Sequence, residues 1–377
     1  ICEATVIFIC VGTPQCGDGA ADLSQMDSVI QSIAMSSFDY KLIVQKSTAP
    51  VFSAHRMKEN LLRHIGDDMD EVLKSDRRRK FDIAVNPEFL REGHAVHDFF
   101  NPARIVLGVD SDRARDLLTR IYTPLIDRRK FDSTVLITDL NSAEIIKHAS
   151  NAFLSTKISF ANMIADLCEV VGANVEDVTR GLGMDPRVGP EYLNPGIGFG
   201  GYCLPKDLRA FKRVGEDNGV DFSLLTEIER INDARVNQFL DQVGFRLGSL
   251  AGKKIAIWGL SFKAGTDDVR DATSSTVVQS LLDAGALLRL YDPKAILNFT
   301  RLFPAEPPVL VYCQSPIEAA DQSDAVLILT EWKQFKEIDW EDLRSKMAGR
   351  LIADGRNLLE PMEMRSNGFD YYSIGRP

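Results

Sequence analysis

The sequence lacks several features that would place it in a common class of protein. Its six cysteines are scattered without a CxxC pair, a pattern that argues against a disulfide framework and suits the reducing cytosol. Among its five histidines, the pair His94 and His97 is only a weak metal signal. No apolar run reaches the length of a membrane span, and a net charge of −10 disfavours nucleic acid or a membrane surface as main partner. We expect a cytoplasmic protein without a metal.

The pattern of apolar residues changes twice along the chain, whose 377 residues suffice for two or three domains. Short apolar runs alternate with helical segments over residues 1–140 and again over 251–377, which predicts two doubly wound parallel sheets of Rossmann-like type. Residues 141–250 show helical periodicity, including one long helix over Leu224–Arg246 that is of the kind that joins domains or forms a dimer interface. We therefore predict an α/β protein of two sheet lobes joined by a central helical domain, through which we expect it to dimerise.

One cysteine stands in a setting that favours reactivity. It belongs to the segment GFGGYCLPKD, residues 198–207. Pro205 is typical of a first helical turn, so we expect Cys203 at a helix start, where unpaired N–H groups and the helix dipole favour a thiolate. Asp207 would follow one turn later on the same face. The pattern predicts a covalent site, and the alternative is a buried structural cysteine after a glycine turn.

A second polar pair lies on the predicted helix that starts near Ser142. Lys147 and Asn151 are four residues apart, so they project on the same side and could hold an oxyanion or a water molecule. The alternative is a solvated helix face. At the start of this helix we expect Asn141 or Ser142 as the cap and Glu144 to complete a capping box.

Polar residues also follow the predicted strands of the first lobe. Glu88 and Glu92, in NPEFLREG, come directly after a strand and therefore lie at the carboxyl edge of the sheet, where such folds bind ligands. Thr13 and Thr48 occupy the same kind of strand end. We expect the two hydroxyls to contact a cofactor, although each threonine could simply cap the next helix.

The last lobe carries a loop suited to phosphate groups. The segment GLSFKAGTDDVR, residues 259–270, combines glycines with Lys263 directly after a predicted strand. It is not a P-loop, because the GK[ST] core is absent. Arg356 follows another predicted strand and would place a second cation nearby.

Taken together, these segments resemble the UDP-glucose/GDP-mannose dehydrogenase family, whose members oxidise an alcohol of a nucleotide sugar to a carboxylate with NAD. The resemblance rests on GFGGYCLPKD, NPEFLREG, KSTAP, GLSFKAGTDDVR and DGRNLL, and extends to the closing FDYYSIGRP. It implies an NAD-dependent enzyme, a homodimer, and UDP-glucose as substrate. GDP-mannose and UDP-N-acetylmannosamine remain alternative substrates.

The resemblance also implies roles for the matching residues. Cys203 would hold the C6 aldehyde as a thiohemiacetal and then a thioester. Lys147 and Asn151 would stabilise oxyanions, while Asp207 and Glu88 would assist hydrolysis of the thioester. Thr48 is assigned both to catalysis and to NAD, and the other residues facing NAD would be Thr13, Glu92, Lys263 and Arg270. The nucleotide sugar would be bound by Glu88, Lys147, Asn151, Tyr192, Leu193, Asn194, Phe199, Gly200, Phe262, Lys263 and Arg356, with Arg187 reaching a partner subunit's site.

The chain departs from the family pattern at two places. Family members begin with a strand, a GxGxxG turn and a helix that hold the NAD pyrophosphate, and this sequence has no such segment. The resemblance therefore predicts an incomplete first lobe whose N-terminal part is missing. The alternative reading is a UDP-sugar-binding dimer without catalysis. Phe52 stands where the family has glycine after KSTxPV, which leaves the shape of this loop open.

Overall fold

The computed structural model describes residues 1–17, 19–36, 39–65, 80–126 and 134–377. The chain forms two compact units, each built from two stretches of sequence. Unit 1 consists of Ile1–Ala152 and Lys206–Phe222, and unit 2 of Phe153–Pro205 and Ser223–Pro377. The helices predicted at 141–250 are thus shared between the units, and the three-domain boundaries stay a prediction. None of the described helices is both long and apolar enough to cross a bilayer.

Unit 1 is built around a five-stranded sheet. In sheet order its strands are β1 (Val6–Ile9), β2 (Lys41–Gln45), β3 (Phe81–Val85), β4 (Ile105–Val109) and β5 (Val135–Thr138). Successive residues of β2 enter different cores, with Ile43 on one face of the sheet and Leu42 and Val44 on the other. Helices cover both faces, which confirms the predicted doubly wound α/β arrangement.

One pairing in this sheet differs from the prediction. Strands β1, β2 and β3 are parallel, but β4 runs antiparallel to β3, and β5 is parallel to β4. A parallel neighbour needs a crossover helix long enough to return along the sheet. The connection from β3 to β4 contains only α3 (Ala95–Phe100), a helix of six residues. Among the described strands, the carboxyl ends of β1, β2 and β3 therefore share one edge.

The other described α-helices of unit 1 are α1 (Ser24–Ser36), α2 (Ser53–His64), α4 (Asp112–Tyr122), the first part of α5 (Leu140–Val171) and most of α7 (Cys203–Asp217). Helix α5 ends before Gly172, as predicted, but the predicted capping box is wrong. Asp139 is the residue that caps α5, because its Oδ1 accepts from the Ser142 N–H at 2.8 Å. Glu144 has other partners, described below.

Unit 2 contains a six-stranded sheet in which all described strands are parallel. In sheet order these are β11 (Asp370–Ser373), β10 (Leu351–Asp354), β9 (Ala325–Ile328), β6 (Lys254–Trp258), β7 (Leu287–Tyr291) and β8 (Leu310–Tyr312). Ile255 and Ile257 of β6 enter the core on one face, and Ala256 and Trp258 enter the core on the other. The second predicted parallel sheet is confirmed.

The order of these strands creates a ligand-binding edge. Strand β6 lies between β7 on one side and β9 on the other, so the connections that follow β6 and β9 leave in opposite directions. Such a switch point opens a crevice at the carboxyl ends of the strands. The described helices of unit 2 are α6 (Val175–Gly183), α8 (Ser223–Leu247), α9 (Thr273–Asp283), α10 (Ile296–Leu302), α11 (Pro316–Ala320), α12 (Trp340–Lys346) and α13 (Pro361–Ser366), with the rest of α5.

Candidate active site

Helix α7 begins at the predicted nucleophile. Cys203 is its first residue, Pro205 lies in its first turn, and the Cys203 side chain is exposed. Gly198 and Gly201 precede it with φ of +99° and +83°, a conformation that glycine adopts without strain. The predicted placement is confirmed, and the alternative of a buried structural cysteine is wrong. The role of Cys203 as a nucleophile stays a prediction.

Asp207 lies one turn along α7 and is held by one hydrogen bond and one ion pair. Asn151 Nδ2 donates to Asp207 Oδ2 at 2.6 Å, and the Lys206 ammonium lies 2.8 Å from Oδ1. Only 1% of Asp207 and 8% of Asn151 are exposed. A buried carboxylate needs such donors to offset its lost hydration. The structure therefore brings Asn151 and Asp207 together in unit 1 as a fixed polar pair.

Lys147 lies one turn before Asn151 on α5 and contacts a different carboxylate. Its Nζ is 3.4 Å from Glu88 Oε1 and 5.4 Å from the centre of the Phe89 ring. Lys147 is 5% exposed, so its ammonium is largely removed from water. The second carboxylate oxygen of Glu88 accepts from the Leu90 N–H at 2.7 Å. The predicted alternative of a solvated helix face is wrong for Lys147 and Asn151.

Lys46 is a residue of this site that the sequence analysis missed. Its Nζ donates to Asn86 Oδ1 at 2.9 Å and lies 3.4 Å from the Pro87 carbonyl oxygen. The Tyr122 hydroxyl also donates to Asn86 Oδ1. Burial lowers the pKa of Lys46 to about 8, although the nearby Glu88 carboxylate raises it. The signal was present, since Lys46 belongs to KSTAP at the tip of β2.

The strand tips predicted to face NAD lie together. Thr13 Oγ1 donates to the Thr48 carbonyl oxygen at 2.7 Å, and Ser47 Oγ donates to the Val11 carbonyl oxygen at 2.6 Å. The segments after β1 and β2 are therefore tied at the edge where β3 also ends. Ligands of such sheets bind in the crevice at the carboxyl ends of the strands, so the position of these residues is compatible with a cofactor there, and their contact with NAD stays a prediction. Glu92 lies in a turn before α3 and is half-buried.

In unit 2, Arg356 joins the glycine segment to the strand ends. Its Nη1 donates to the Gly198 carbonyl oxygen at 2.9 Å, its Nε to the Leu329 carbonyl oxygen at 2.8 Å, and its Nη2 to Thr273 Oγ1 at 3.1 Å. Asn232, which the sequence analysis missed, accepts from the Phe199 N–H through its Oδ1 at 2.8 Å. The predicted substrate residues Phe199 and Arg356 thus lie in one network.

Two glycines in this segment are required by close packing. A Cβ atom at Gly201 would lie 2.6 Å from the Phe262 ring, and one at Gly200 would overlap the Asp271 carbonyl oxygen. Gly200 and Gly201 therefore let the backbone lie directly against the loop after β6. The predicted substrate residue Phe262 therefore lies against Gly201, the neighbour of the predicted substrate residue Gly200.

Other predicted ligand residues have local partners instead. Arg187 is paired with Asp185 at 2.6 Å, and 87% of its side chain is exposed. Arg270 binds Asp268 at 2.6 Å and lies over the Tyr202 ring at 4.3 Å. The remaining placements are Lys263 at 5.4 Å from the Phe262 ring, Tyr192 with a φ of +64°, Leu193 buried and Asn194 exposed. Their roles stay predictions.

Three sequence profiles of one family match the chain. They are the NAD-binding domain of the UDP-glucose/GDP-mannose dehydrogenase family at residues 1–126, its central domain at 141–234 and its UDP-binding domain at 256–361. The UDP-glucose 6-dehydrogenase of Rickettsia bellii is 40% identical over 370 residues, which are 98% of this chain and 81% of that protein. The enzyme of the same name from Rhizobium meliloti is 41% identical over 383 residues, covering 100% of this chain and 83% of that protein.

A solved structure agrees with the sequence profiles. The structure of a UDP-glucose dehydrogenase from the archaeon Pyrobaculum islandicum matches with a TM-score of 0.87 and 32% identity, covering 99% of this chain and 80% of that one. Two α/β sheets with polar strand tips and a matching NAD-binding domain define an NAD-dependent oxidoreductase. More narrowly, the chain belongs to the UDP-glucose/GDP-mannose dehydrogenase family. The incomplete first lobe stays a prediction.

Proposed function

We propose that this protein oxidises the C6 alcohol of UDP-glucose to the carboxylate of UDP-glucuronate through a covalent adduct on Cys203. The observation that carries the proposal is the pairing of two buried side chains of α5 with carboxylates, Lys147 with Glu88 and Asn151 with Asp207. UDP-glucose is the substrate because relatives at 40% and 41% identity carry the name UDP-glucose 6-dehydrogenase. NAD, when bound, is the oxidant of each of the two steps.

In the first half of the reaction, the alcohol at C6 is oxidised by two electrons to an aldehyde and loses a proton. The ammonium of Lys147, with the amide of Asn151, stabilises the negative charge that develops on the C6 oxygen. Cys203 Sγ then adds to the aldehyde carbon, which gives a thiohemiacetal and keeps the aldehyde on the protein. Thr48, Thr13 and Glu92 would hold NAD at the strand tips, together with Lys263 and Arg270.

In the second half, the thiohemiacetal is oxidised by two electrons to a thioester. Asp207 accepts a proton from water, the water oxygen adds to the thioester carbon, and the C–S bond breaks to release the carboxylate and the thiol. Glu88 assists this hydrolysis by holding Lys147. The UDP-sugar is bound in unit 2 by Tyr192, Leu193, Asn194, Phe199, Gly200, Phe262, Lys263 and Arg356.

The stoichiometry of NADH tests the reaction. The full chain, given UDP-glucose and NAD, should form two NADH per sugar, because an alcohol becomes an acid by losing four electrons. Parallel assays with GDP-mannose and UDP-N-acetylmannosamine identify the sugar. One NADH per UDP-glucose would mean that oxidation stops at the aldehyde, and no NADH with any of the three sugars would refute catalysis by this chain and favour the alternative of a UDP-sugar-binding dimer.

Replacement of the thiol tests the covalent route. Cys203→Ser should abolish formation of the acid, while the matched control Cys2→Ser, at another exposed cysteine, should retain it. Mass spectrometry of the intact protein should detect a sugar adduct on the wild type during turnover. Full activity of Cys203→Ser would rule out the adduct.

We also propose that the protein is located in the cytoplasm and that it forms a dimer. The part of α5 in unit 2 would bind the second copy of the chain. An apolar stripe repeats along this helix at spacings of three, four and seven residues, as in helix pairing, and consists of Phe153, Phe160, Met163, Leu167 and Val170. These side chains are 65%, 46%, 48%, 57% and 84% exposed. A patch of this kind is typical of an interface. Sedimentation should show a dimer that Phe160→Glu dissociates, and a wild-type monomer would contradict the proposal.

A further inference from the structure

A buried carboxylate of α5 caps a different helix. Glu144 is 2% exposed, its Oε1 accepts from the Ala54 N–H at 2.8 Å and from Gln45 Nε2 at 3.1 Å, and its Oε2 accepts from the Phe52 N–H at 2.8 Å. Phe52 stands at the N-cap position of α2 and has no side-chain acceptor for the unpaired N–H groups of this helix end. Glu144 supplies that acceptor from a distant part of the sequence.

A second side chain of α5 holds the same segment at its other end. His148 lies one turn after Glu144, is 2% exposed and donates from Nε2 to the Ala49 carbonyl oxygen at 3.0 Å. Burial lowers the pKa of His148, which keeps the imidazole neutral and suited to this single donation. Helix α5 therefore contacts both Ala49 and Phe52, the two ends of a short segment that begins directly after Thr48.

The same face of α5 carries the proposed catalytic groups. Glu144, Lys147, His148 and Asn151 are spaced by three, one and three residues, so they line one side of the helix. Lys147 contacts Glu88 after β3, and Asn151 contacts Asp207 of α7. This one face thus connects with the segments after β2 and β3 and with α7.

We propose, as an extension of the proposed dehydrogenase function, that Glu144 is a positioning residue that fixes the Lys46–Phe52 loop, and with it Thr48, relative to Lys147 and Asn151. Thr48 is in turn tied to Thr13 through its carbonyl oxygen. A carboxylate at this place is costly, because burial raises the pKa of Glu144 to about 7 against the hydrogen bonds from Ala54 and Gln45, which lower it. The hydrogen bonds that it accepts from Gln45, Phe52 and Ala54 offset part of this cost.

The variant Glu144→Gln tests this role with little change of shape. Glutamine keeps one oxygen acceptor, but it places an NH2 group where the second oxygen accepts, so one backbone N–H of the α2 start loses its partner. The matched control is Ser111→Ala in the same unit. Ser111 Oγ accepts from the Ala114 N–H at 3.0 Å and caps α4, so its removal also weakens a helix start.

Three measurements on the full chain separate positioning from stability. Hydrogen exchange of peptides covering residues 46–54 should speed up by about tenfold or more in Glu144→Gln and stay at the wild-type rate in Ser111→Ala. The kcat/KM for NAD should fall by about 10- to 100-fold in Glu144→Gln alone, the loss expected when reacting groups shift by about 1 Å. The Kd for UDP should stay unchanged in both variants, which shows that unit 2 remains folded.

Two results would overturn the inference. Unchanged exchange in Glu144→Gln would mean that the carboxylate does not fix the loop, and faster exchange with an unchanged kcat/KM would reduce Glu144 to a structural cap. Failure of the proposed function gives a different result, namely no NADH from the wild type with any of the three sugars. The exchange comparison still decides in that case whether Glu144 holds the loop.

Discussion

The substitution Phe52→Gly tests the backbone of the loop after β2. Phe52 has φ of +72° and ψ of +3°, the left-handed conformation in which the Cβ atom of an L-residue crowds the backbone. Half of the residue is exposed, so its ring is not a core element that would enforce the conformation. The residue after KSTAPV therefore occupies a backbone position that favours glycine, although phenylalanine is present.

The magnitude follows from comparing Phe52→Gly with Phe52→Ala. Both variants remove the ring, so the burial lost is the same and cancels. Alanine keeps the left-handed penalty of about 1–2 kcal/mol, which glycine avoids. Glycine loses about 0.5–1 kcal/mol more chain entropy on folding than alanine does. The glycine variant should therefore be more stable than the alanine variant by about 0.75 kcal/mol, within a range of about 0 to 1.5 kcal/mol.

Urea unfolding followed by circular dichroism measures this difference. A matched control is the pair Gln31→Gly and Gln31→Ala, at an exposed position within α1. There alanine should be the more stable by about 1 kcal/mol, because glycine is a poor helix former. An alanine variant at position 52 more stable than the glycine variant, as at position 31, would refute the left-handed backbone at Phe52 and the reasoning built on it.

Three further predictions concern charged groups of the site. The pKa of Lys46 falls from 10.5 to about 8 on folding. Between pH 8 and pH 10.5 the unfolded chain therefore binds more protons than the folded chain, so the free energy of unfolding should rise with pH over this range by at most about 3 kcal/mol. Lys46→Met should lack this rise in parallel urea titrations at pH 7.5 and 10, and an equal rise in both proteins would contradict the shift. Asp207→Asn keeps the size but removes the base, so kcat should fall by about 100-fold or more and the thioester should accumulate in mass spectra; wild-type turnover would exclude Asp207 as the base. Arg356→Lys cannot reproduce the forked donation to Gly198, Leu329 and Thr273, so the Kd for UDP should rise about tenfold in calorimetry, whereas an unchanged Kd would separate this network from UDP binding.

Features set by local sequence were predictable from it. Helix α7 begins at Cys203 because Pro205 suits a first helical turn, and α5 ends before Gly172 because glycine readily takes the left-handed conformation that ends a helix. Lys147 and Asn151 share a side of α5 because helical spacing places them there. The alternation of short apolar runs with helical segments also predicted both sheets.

Features that depend on distant residues were not predictable. The antiparallel pairing of β4 depends on how a short connection packs, and the cap of α5 is Asp139 where the local pattern favoured Asn141 or Ser142. The KSTAP segment placed Lys46 at the end of a strand, but its contact with Asn86 depends on a distant residue. The contact of Asn232 with Phe199 likewise joins residues far apart in the sequence.

The sequence by itself determined the elements of this protein, the position of Cys203 at a helix start and the family to which the chain belongs. Only the tertiary structure decided which partners the polar side chains meet. Glu144 shows the physical reason. It accepts a hydrogen bond from Gln45, 99 residues away in the sequence, and it caps the start of α2, a helix far from its own segment. Periodicity and capping act within a few residues of the chain, whereas a buried charge is stabilised by whichever donors folding brings to it.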